Sequence, residues 1–423
     1  MKLEFGFGNT TQVVEVPEKN ILEILEPNNV EVELKGEAAV DYALANPIGA
    51  PKLRDILQPG QKIAIVTSDI TRPMPTAKVM PALLDEIYAG IGYTPEAGKK
   101  NEDITLVFAL GSHRPHTEEE KQRLAGERAY NEIKVEDSTP DDCIHLGTTK
   151  RGTPVDISRT VAEADVRICL GNIEYHYFAG YSGGAKAIMP GVSTREAIQC
   201  NHRFMVSEDA YAGHLEGNPI REDIEEAAAI CGVDYILNVV LDEHKKIIYA
   251  VAGDVTKAHR EGTAFLDTLF LKKLDRQADI VLVSQGGAPK DLNLYQTQKA
   301  LDNSKHAVRE GGTIILIGSC KEGLGEHTFE EWMTKSESPE AMIERIGRDF
   351  QLGGHKAAAI AMVLKRAKIV LVSDLPDDFV KSIFLTPAHS VQEAFDEAMK
   401  EYGPEATVIA MPYGGSTLPK FVG

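Results

Sequence analysis

The sequence predicts an α/β fold of two domains, each with parallel strands covered by helices. Short, continuous runs of aliphatic and β-branched residues, such as KIAIVT and DITLVFAL, are typical of parallel strands that are buried on both faces. These runs alternate with helical stretches in both halves of the chain, which is the rhythm of α/β proteins. At 423 residues the chain is long enough for about two to three domains.

The first sixty residues carry no obvious chemistry. Alternating patterns predict strands at 3–7 and 11–16, and an apolar spacing predicts a helix from 20 to 25. The first buried strand, KIAIVT, comes next, and a helix is predicted after it from about 76 to 88.

Three buried strand runs in the first half are each followed by polar residues. KIAIVT precedes Asp69 and Arg72, DITLVFAL precedes His113, and ADVRICLG precedes His176. In open α/β sheets, ligands bind outside the carboxyl ends of the strands. We therefore expect these side chains to lie on one rim of a single sheet.

Candidate binding and catalytic residues are most concentrated in residues 171–202, GNIEYHYFAGYSGGAKAIMPGVSTREAIQCNH. Gly183 and Gly184 stand before Lys186, and we expect glycines here to let the backbone approach a ligand without an intervening Cβ. A P-loop is excluded, because Ala185 separates the glycines from the lysine and the hydroxyl residue that should follow is missing. Lys186 could instead bind a phosphate, carry a covalent adduct or be an ordinary surface lysine.

Three histidines, His113, His176 and His202, follow predicted strand ends or flank the glycines. They are too far apart in sequence for a zinc-binding helix, and H-E-x-x-H is absent. Any metal that they bind must therefore be assembled by the fold. Each histidine could equally transfer protons near neutral pH or form an ordinary hydrogen bond.

The second half repeats the buried-strand pattern after a hairpin predicted at 235–254 and a long amphipathic helix. Its strands ADIVLVSQGG, GGTIILIGSC, AKIVLVSD and ATVIAMP predict a second Rossmann-like domain, so the two domains are placed at 1–272 and 273–423. Gln296 and Lys299 share one face of a helix. They either close an interdomain cleft, the usual place for a small-molecule site, or form an ordinary exposed face.

Composition narrows the functional classes. The formal net charge of -19 argues against a nucleic-acid partner held by a general basic surface. The first residues lack the pattern of a secretory signal, and no apolar run reaches the roughly 20 residues that a membrane span needs. The five cysteines are scattered without a C-x-x-C pair, which is typical of reduced thiols. We expect a cytoplasmic protein with no membrane partner.

The motifs SDITRP, GSHRPH, EYHYFAGYSGGAKAIMPG, the NH pair at 201–202 and DLNLYQTQK together resemble the nickel-dependent lactate racemase family, the nickel-pincer racemases and epimerases of 2-hydroxyacids. The resemblance spans essentially the whole chain. It implies an isomerase with two Rossmann-like domains and its active site in the interdomain cleft. The first domain would tether the cofactor and the second would close the site. The implied partners are a small 2-hydroxyacid substrate and the enzymes that build the cofactor.

The resemblance also implies a role for each motif residue. Lys186, beside Gly183 and Gly184, would carry a nickel-pincer nucleotide, pyridinium-3-thioamide-5-thiocarboxylate mononucleotide, through a thioamide. His202 would complete the square-planar coordination of Ni(II), a geometry that this ion favours. Proton transfer and substrate contacts would fall to the remaining positions, His113 and His176 as acid/bases and Asp69, Arg72, Gln296 and Lys299 at the substrate.

In the mechanism that this family implies, one histidine removes the proton of the C2 hydroxyl while hydride leaves C2 for the pincer ring. The hydride then returns to the other face of the planar keto acid. Two histidines on opposite sides serve the two enantiomers, and histidine titrates in the range that this needs. Arg72 and Lys299 are suited to the substrate carboxylate.

One position departs from the family pattern. Its lactate enzymes have a tryptophan where this chain has Phe350, and the only tryptophan here, Trp332, lies elsewhere. Because that position helps to shape the pocket, the substrate could be a 2-hydroxyacid other than lactate. His355 and Lys356 could serve a larger or second carboxylate, or lie on the surface at a helix start.

Two other functions stay open. A nicotinamide-dependent hydroxyacid dehydrogenase is disfavoured, because no G-x-G-x-x-G follows a strand. A non-catalytic organic-acid binding protein would use Arg72 and Lys299 without any cofactor.

Overall fold

The computed structural model describes residues 1–242 and 244–422, and the chain folds into two compact units. One unit is the continuous segment 30–267, and the other combines 1–29 with 268–423. Each unit contains a six-stranded sheet with helices, so the predicted α/β fold class is confirmed.

The elements follow one another in chain order. The strands are β1 Lys2–Phe7, β2 Thr10–Glu15, β3 Ile21–Ile24, β4 Ile63–Ser68, β5 Asn101–Ala109, β6 Ile133–Asp137, β7 Cys143–Thr148, β8 Pro154–Ser158, β9 Val166–Asn172, β10 Tyr175–His176, β11 Gly180–Tyr181, β12 Tyr235–Leu241, β13 Ile247–Gly253, β14 Leu271–Leu274, β15 Ala278–Ser284, β16 Val308–Ile317, β17 Lys368–Val372, β18 Thr386–Ala388, β19 Val408–Met411 and β20 Leu418–Phe421.

The α-helices are α1 Glu37–Ala45, α2 Leu53–Ile56, α3 Thr76–Ile91, α4 Glu118–Ala125, α5 Glu127–Glu132, α6 Arg159–Ala162, α7 Arg195–His202, α8 Pro219–Cys231, α9 Lys257–Phe270, α10 Leu294–Ser304, α11 His327–Lys335, α12 Pro339–Arg348, α13 Gly354–Leu364, α14 Asp377–Ser382 and α15 Val391–Tyr402. Among the described residues, none of these helices combines the length and the apolar character that crossing a membrane requires.

The sheet of the unit 30–267 has the strand order β13-β12-β9-β4-β5-β6. All its neighbours are parallel except β12 and β13, which form the predicted hairpin. The strands are continuous apolar runs because both faces of the sheet are covered, and Ile65 and Val66 in β4 are fully buried. Strands β9, β4 and β5 lie side by side, so their carboxyl ends meet at one edge.

The other unit has the all-parallel order β18-β17-β16-β15-β19-β3. The hairpin β1–β2 packs into its core through Phe5 and Val14, both fully buried. The first 29 residues therefore belong with the second half of the chain. The predicted limits of 1–272 and 273–423 did not separate them from the first half.

The helix predicted from 20 to 25 is wrong. Residues 21–24 form strand β3, which pairs in parallel with β19. A short apolar run fits a strand or a buried helix equally well, and here the partner strand decides the outcome. That partner lies near the other end of the chain, so local spacing carried no sign of it.

Candidate active site

Polar residues from the ends of β4, β5 and β9 meet at one edge of the sheet of the unit 30–267. A carboxylate oxygen of Asp69 lies 2.9 Å from Nδ1 of His113. Arg72 lies 3.9 Å from the carboxylate of Glu174, which follows β9. The expected rim is therefore present, and it joins loops from three neighbouring strands.

Asp69 and His113 form a carboxylate–histidine pair. Asp69 is 3 % exposed and also accepts a hydrogen bond of 2.8 Å from the hydroxyl of Thr71. Burial alone would raise the pKa of Asp69, but the hydrogen bonds from His113 and Thr71 outweigh it and lower the pKa. The ionised carboxylate holds the proton of His113 on Nδ1, so the lone pair lies on Nε2, where a general base needs it.

His116 fixes the loop that carries Asp69. Its Nδ1 lies 2.6 Å from the carboxylate of Asp137, and its Nε2 accepts a 3.0 Å hydrogen bond from the backbone N–H of Ile70. The ring is buried and packs edge-on against Phe108, so it fixes the position of the loop that carries Asp69. His116 is part of the motif GSHRPH, but nothing in the sequence indicated this supporting role.

His176 lies on the tight hairpin β10–β11, where it pairs with Gly180. Its Nδ1 accepts a 3.3 Å hydrogen bond from the backbone N–H of Ala179, so a neutral ring carries its proton on Nε2. Burial, followed by the positive charges of Lys186 and Arg72, lowers the pKa of His176 well below its usual value. The ring is thus neutral near pH 7, and its proton sits on the opposite nitrogen from that of His113.

The ring of Phe178 lies close to three candidate site residues of the segment 171–202. Its ring centroid lies 4.5 Å from that of His176, 4.9 Å from that of His202 and 5.8 Å from the amine nitrogen of Lys186. The side chain is only 3 % exposed. The structure therefore brings these three predicted residues around one buried aromatic ring, which the sequence analysis did not single out.

Lys186 lies in a 3-10 turn, Gly184–Ala187, with positive φ angles at Gly183 and Gly184. A Cβ at Gly183 would lie 2.7 Å from Oδ1 of Asn238, and one at Gly184 would lie 2.8 Å from the ring of His259. The two glycines thus let the turn pack against the protein itself. This differs from the expectation that their missing side chains make room for a ligand.

The surroundings of Lys186 favour the uncharged form of its amine. Burial, followed by the positive charges of Arg72 and Arg221, lowers the pKa of Lys186 well below its usual value. The amine therefore has a larger uncharged fraction near neutral pH than a surface lysine has. A depressed lysine pKa is typical of lysines that form covalent bonds to a ligand.

Two buried side chains hold the lysine turn in place. Oδ1 of Asn238 accepts a 2.7 Å hydrogen bond from the backbone N–H of Gly184, and Nε2 of His259 donates a 2.8 Å hydrogen bond to the carbonyl oxygen of Ser182. Neither residue was predicted. They come from β12 and α9, where no local motif distinguishes them from core residues.

His259 should make the stability of the fold sensitive to acid. Burial and the positive charge of Arg221 lower its pKa well below the usual value, so the unfolded chain binds this proton more readily than the folded chain. The free energy of unfolding should therefore fall as the pH drops below about 6.5, by up to about 1.4 kcal/mol per pH unit for each such histidine. His259→Gln, which keeps an N–H for Ser182, should reduce this slope in urea unfolding between about pH 7.5 and 5.5.

The control is His389→Gln, because the side chain of His389 is 73 % exposed. It should leave the slope as in the wild type. Equal slopes in His259→Gln and the wild type would contradict the assignment.

His202 ends helix α7 and is 6 % exposed. Its Nδ1 lies 2.9 Å from the side-chain oxygen of Asn201. Among the described residues, no group of three or more His, Cys, Asp or Glu side chains is arranged to hold a metal ion. The nickel site that the resemblance implies has one protein ligand, His202. It therefore does not require a cluster of three metal-binding side chains.

The remaining predicted residues lie in the other unit. Gln296 and Lys299 are on α10, where Lys299 is exposed and the carbonyl oxygen of Gln296 accepts a 2.8 Å hydrogen bond from Gln285. The ring of Phe350 is half-buried and lies 5.7 Å from that of His355. The roles of Gln296, Lys299 and Phe350 stay predictions.

His355 and Lys356 are not surface residues, since each is 6 % exposed. Nδ1 of His355 accepts a 2.9 Å hydrogen bond from the N–H of Gly353. The amine of Lys356 donates to the carbonyl oxygen of Tyr295 and lies 3.8 Å from the centre of its ring. Trp332 is fully buried.

Family comparisons cover nearly the whole chain. The model of the lactate racemase N-terminal domain matches residues 7–213, and that of the lactate racemase C-terminal domain matches residues 274–418. The chain is 34% identical to a lactate racemase of Thermoanaerobacterium thermosaccharolyticum over 428 residues, with 98% of both chains covered. It is 33% identical to a lactate racemase of Lactiplantibacillus plantarum over 399 residues, with 92% of both covered.

Solved structures agree with these matches. The lactate racemase apoprotein from Thermoanaerobacterium thermosaccharolyticum superposes with a TM-score of 0.86 at 32% identity, covering 99% of this chain and 100% of that one. A protein from Thermotoga maritima superposes with a TM-score of 0.60 at 18% identity, covering 92% of this chain and 100% of that one. The second likeness supports the fold alone.

Proposed function

We propose that this chain, which belongs to the lactate racemase family and is an isomerase, inverts C2 of lactate or a related 2-hydroxyacid. The observation that carries the proposal is the cluster around Phe178. It joins a lysine of depressed pKa, a neutral histidine and the buried His202, next to the rim with Asp69 and His113.

The finer proposal is that the reaction uses a nickel-pincer nucleotide attached to Lys186. The residues present fit such a group, because Lys186 offers a nucleophilic amine and His202 offers a ring whose Nδ1 is already hydrogen-bonded to Asn201. Lys186 would hold the nucleotide and His202 would bind its nickel. When bound, the group supplies an acceptor for the hydride of C2.

His113 and His176 would handle the proton of the C2 hydroxyl. Nε2 of His113 carries a lone pair and can accept this proton directly, with Asp69 stabilising the charged ring. Nε2 of His176 carries a hydrogen and can donate to the same oxygen. To act as the base for the other enantiomer, His176 must move its proton to Nδ1, which gives up the contact with Ala179.

The carboxylate of the substrate needs a local positive charge, since the chain as a whole is strongly acidic. Arg72 is suited to this role, because its side chain is 43% exposed and lies at the rim, and because guanidinium binds carboxylate through two hydrogen bonds. Glu174 lies 3.9 Å from it and would hold it in place until substrate binds.

The test is to produce the chain anaerobically together with cofactor-maturation enzymes. We expect about one nickel per chain, a mass adduct on the peptide that contains Lys186, and racemisation of at least one member of a panel. The panel comprises lactate, malate, 2-hydroxyglutarate, phenyllactate and sugar acids. Active protein with neither nickel nor adduct would refute the cofactor.

Substrate deuterated at C2 tests the hydride step separately. Transfer of hydride keeps the deuterium on C2 during inversion. Loss of the label to solvent would show that C2 gives up a proton, and it would refute hydride transfer.

A further inference from the structure

A chain of buried polar groups leads from helix α8 to His202. Asp223 in α8 is fully buried, and its carboxylate accepts hydrogen bonds from the hydroxyls of Thr149 and Thr153 at 2.5 and 2.7 Å. It also accepts a 2.7 Å hydrogen bond from the side-chain amide of Asn201. Asn201, fully buried as well, places its amide oxygen 2.9 Å from Nδ1 of His202.

These contacts allow one orientation of the Asn201 amide. Its NH2 group donates to Asp223 and, at 3.3 Å, to the backbone carbonyl oxygen of Ile220. A carbonyl oxygen can only accept, so the amide oxygen of Asn201 must face His202. An amide oxygen cannot donate either. Nδ1 of His202 therefore carries the proton, and a neutral ring has its lone pair on Nε2.

The charge of Asp223 has no counterion among these partners, because all three donors are uncharged. Burying a carboxylate without a counterion costs free energy, which its hydrogen bonds offset. What the carboxylate adds, and an apolar residue would not, is an acceptor that fixes which end of the Asn201 amide faces His202.

We propose that Asp223 and Asn201 are positioning residues that hold His202 in the Nδ1–H tautomer, with Nε2 as its metal-binding nitrogen. The inference rests on the proposed function, in which His202 is the protein's metal ligand. Histidines that bind metals commonly donate their other ring N–H to a fixed acceptor, which sets the tautomer and the direction of the ring.

The first test observes the ring protons in cofactor-free protein. In a sample with 15N-labelled histidine, the signals of His202 are identified by their loss in His202→Gln. They should show a protonated Nδ1 and an unprotonated Nε2. A wild-type ring that is protonated on Nε2 overturns the inference, whatever the cofactor proves to be.

Variants separate positioning from packing. Asn201→Leu removes the acceptor and Asp223→Leu removes the group that orients it, so each should give a mixture of His202 tautomers. Asp223→Asn is the conservative control, because it keeps an oxygen for Asn201 and its new NH2 can donate to Thr149. Folded leucine variants that keep a pure Nδ1–H ring overturn the inference. If they do not fold, the wild-type tautomer decides.

The second test uses protein loaded by the maturation enzymes. Relative to the adduct on Lys186, Asn201→Leu should lose nickel to a chelator about 10- to 100-fold more readily than the wild type, whereas Asp223→Asn should stay close to it. Equal nickel retention in Asn201→Leu and the wild type overturns the inference. Wild-type protein that is active without nickel or adduct refutes the proposed cofactor instead, and leaves the tautomer result standing.

Discussion

Replacing Lys186 by alanine is expected to abolish both cofactor attachment and racemisation. Burial and the charges of Arg72 and Arg221 lower the pKa of this amine, so a larger fraction of it is uncharged near neutral pH, as nucleophilic attack requires. Alanine offers no atom for a covalent bond. Protein made with the maturation enzymes should therefore show no adduct on the peptide containing residue 186 and no measurable turnover.

The matched control is Lys335→Ala, since the side chain of Lys335 is 73% exposed. It should keep adduct, nickel and activity. In cofactor-free protein, an amine-reactive reagent should modify Lys186 at a lower pH than Lys335. A Lys186→Ala variant that keeps adduct and activity would refute the tether. A Lys186 that the reagent modifies at no lower pH than Lys335 would contradict the lowered pKa of Lys186.

Asp69→Asn should lower kcat about 100- to 10,000-fold with little effect on folding. The carboxylate of Asp69 keeps the proton of His113 on Nδ1 and stabilises the ring once it is charged. An amide does neither, because it can turn its NH2 group to His113 and shift the ring proton to Nε2. Steady-state rates in both directions, measured from each enantiomer, test this.

Thr71→Val is the matched control for Asp69→Asn. It removes the 2.8 Å hydrogen bond to Asp69 but leaves the carboxylate in place, so the loss in kcat should stay below about 10-fold. A rate for Asp69→Asn within 10-fold of the wild type would show that His113 does not depend on the carboxylate.

The elements whose structure is determined by their own residues could be predicted from the sequence. The buried strands β4, β5 and β9 show themselves as continuous apolar runs, and the topology of parallel sheets brings their ends together. The position of Asp69, Arg72 and His113 on one rim therefore follows from the sequence. Strand β3 could not be predicted, because a distant partner determines it.

The residues that support the site could not be predicted from the sequence, because their contacts also lie far away along the chain. Asp223 lies in an ordinary amphipathic helix, and Asn238 lies in a buried strand. Nothing in their neighbours along the chain indicates that one orients Asn201 and the other holds Gly184. Such roles arise only when distant segments pack together.

Helix α8 supports two parts of the site at once. Arg221 donates to the carbonyl oxygens of Ala179 and Tyr181 in the loop and hairpin beside His176, and Asp223 holds Asn201. Mutations aimed at a new substrate would therefore best leave this helix unchanged, since a shift of α8 would disturb both His176 and His202.

The pairing of β3 with β19 has a consequence for synthesis on the ribosome. Residues 1–29 are made before the unit 30–267, whereas β19, the strand that β3 joins, is made after it. The continuous unit 30–267 has its own core and can fold while translation proceeds. Strand β3 has no partner until β19 is made, and an unpaired strand edge is prone to aggregation. The yield of active protein should thus depend on how quickly the ribosome delivers residues 268–423 and on chaperones that shield residues 1–29 until then.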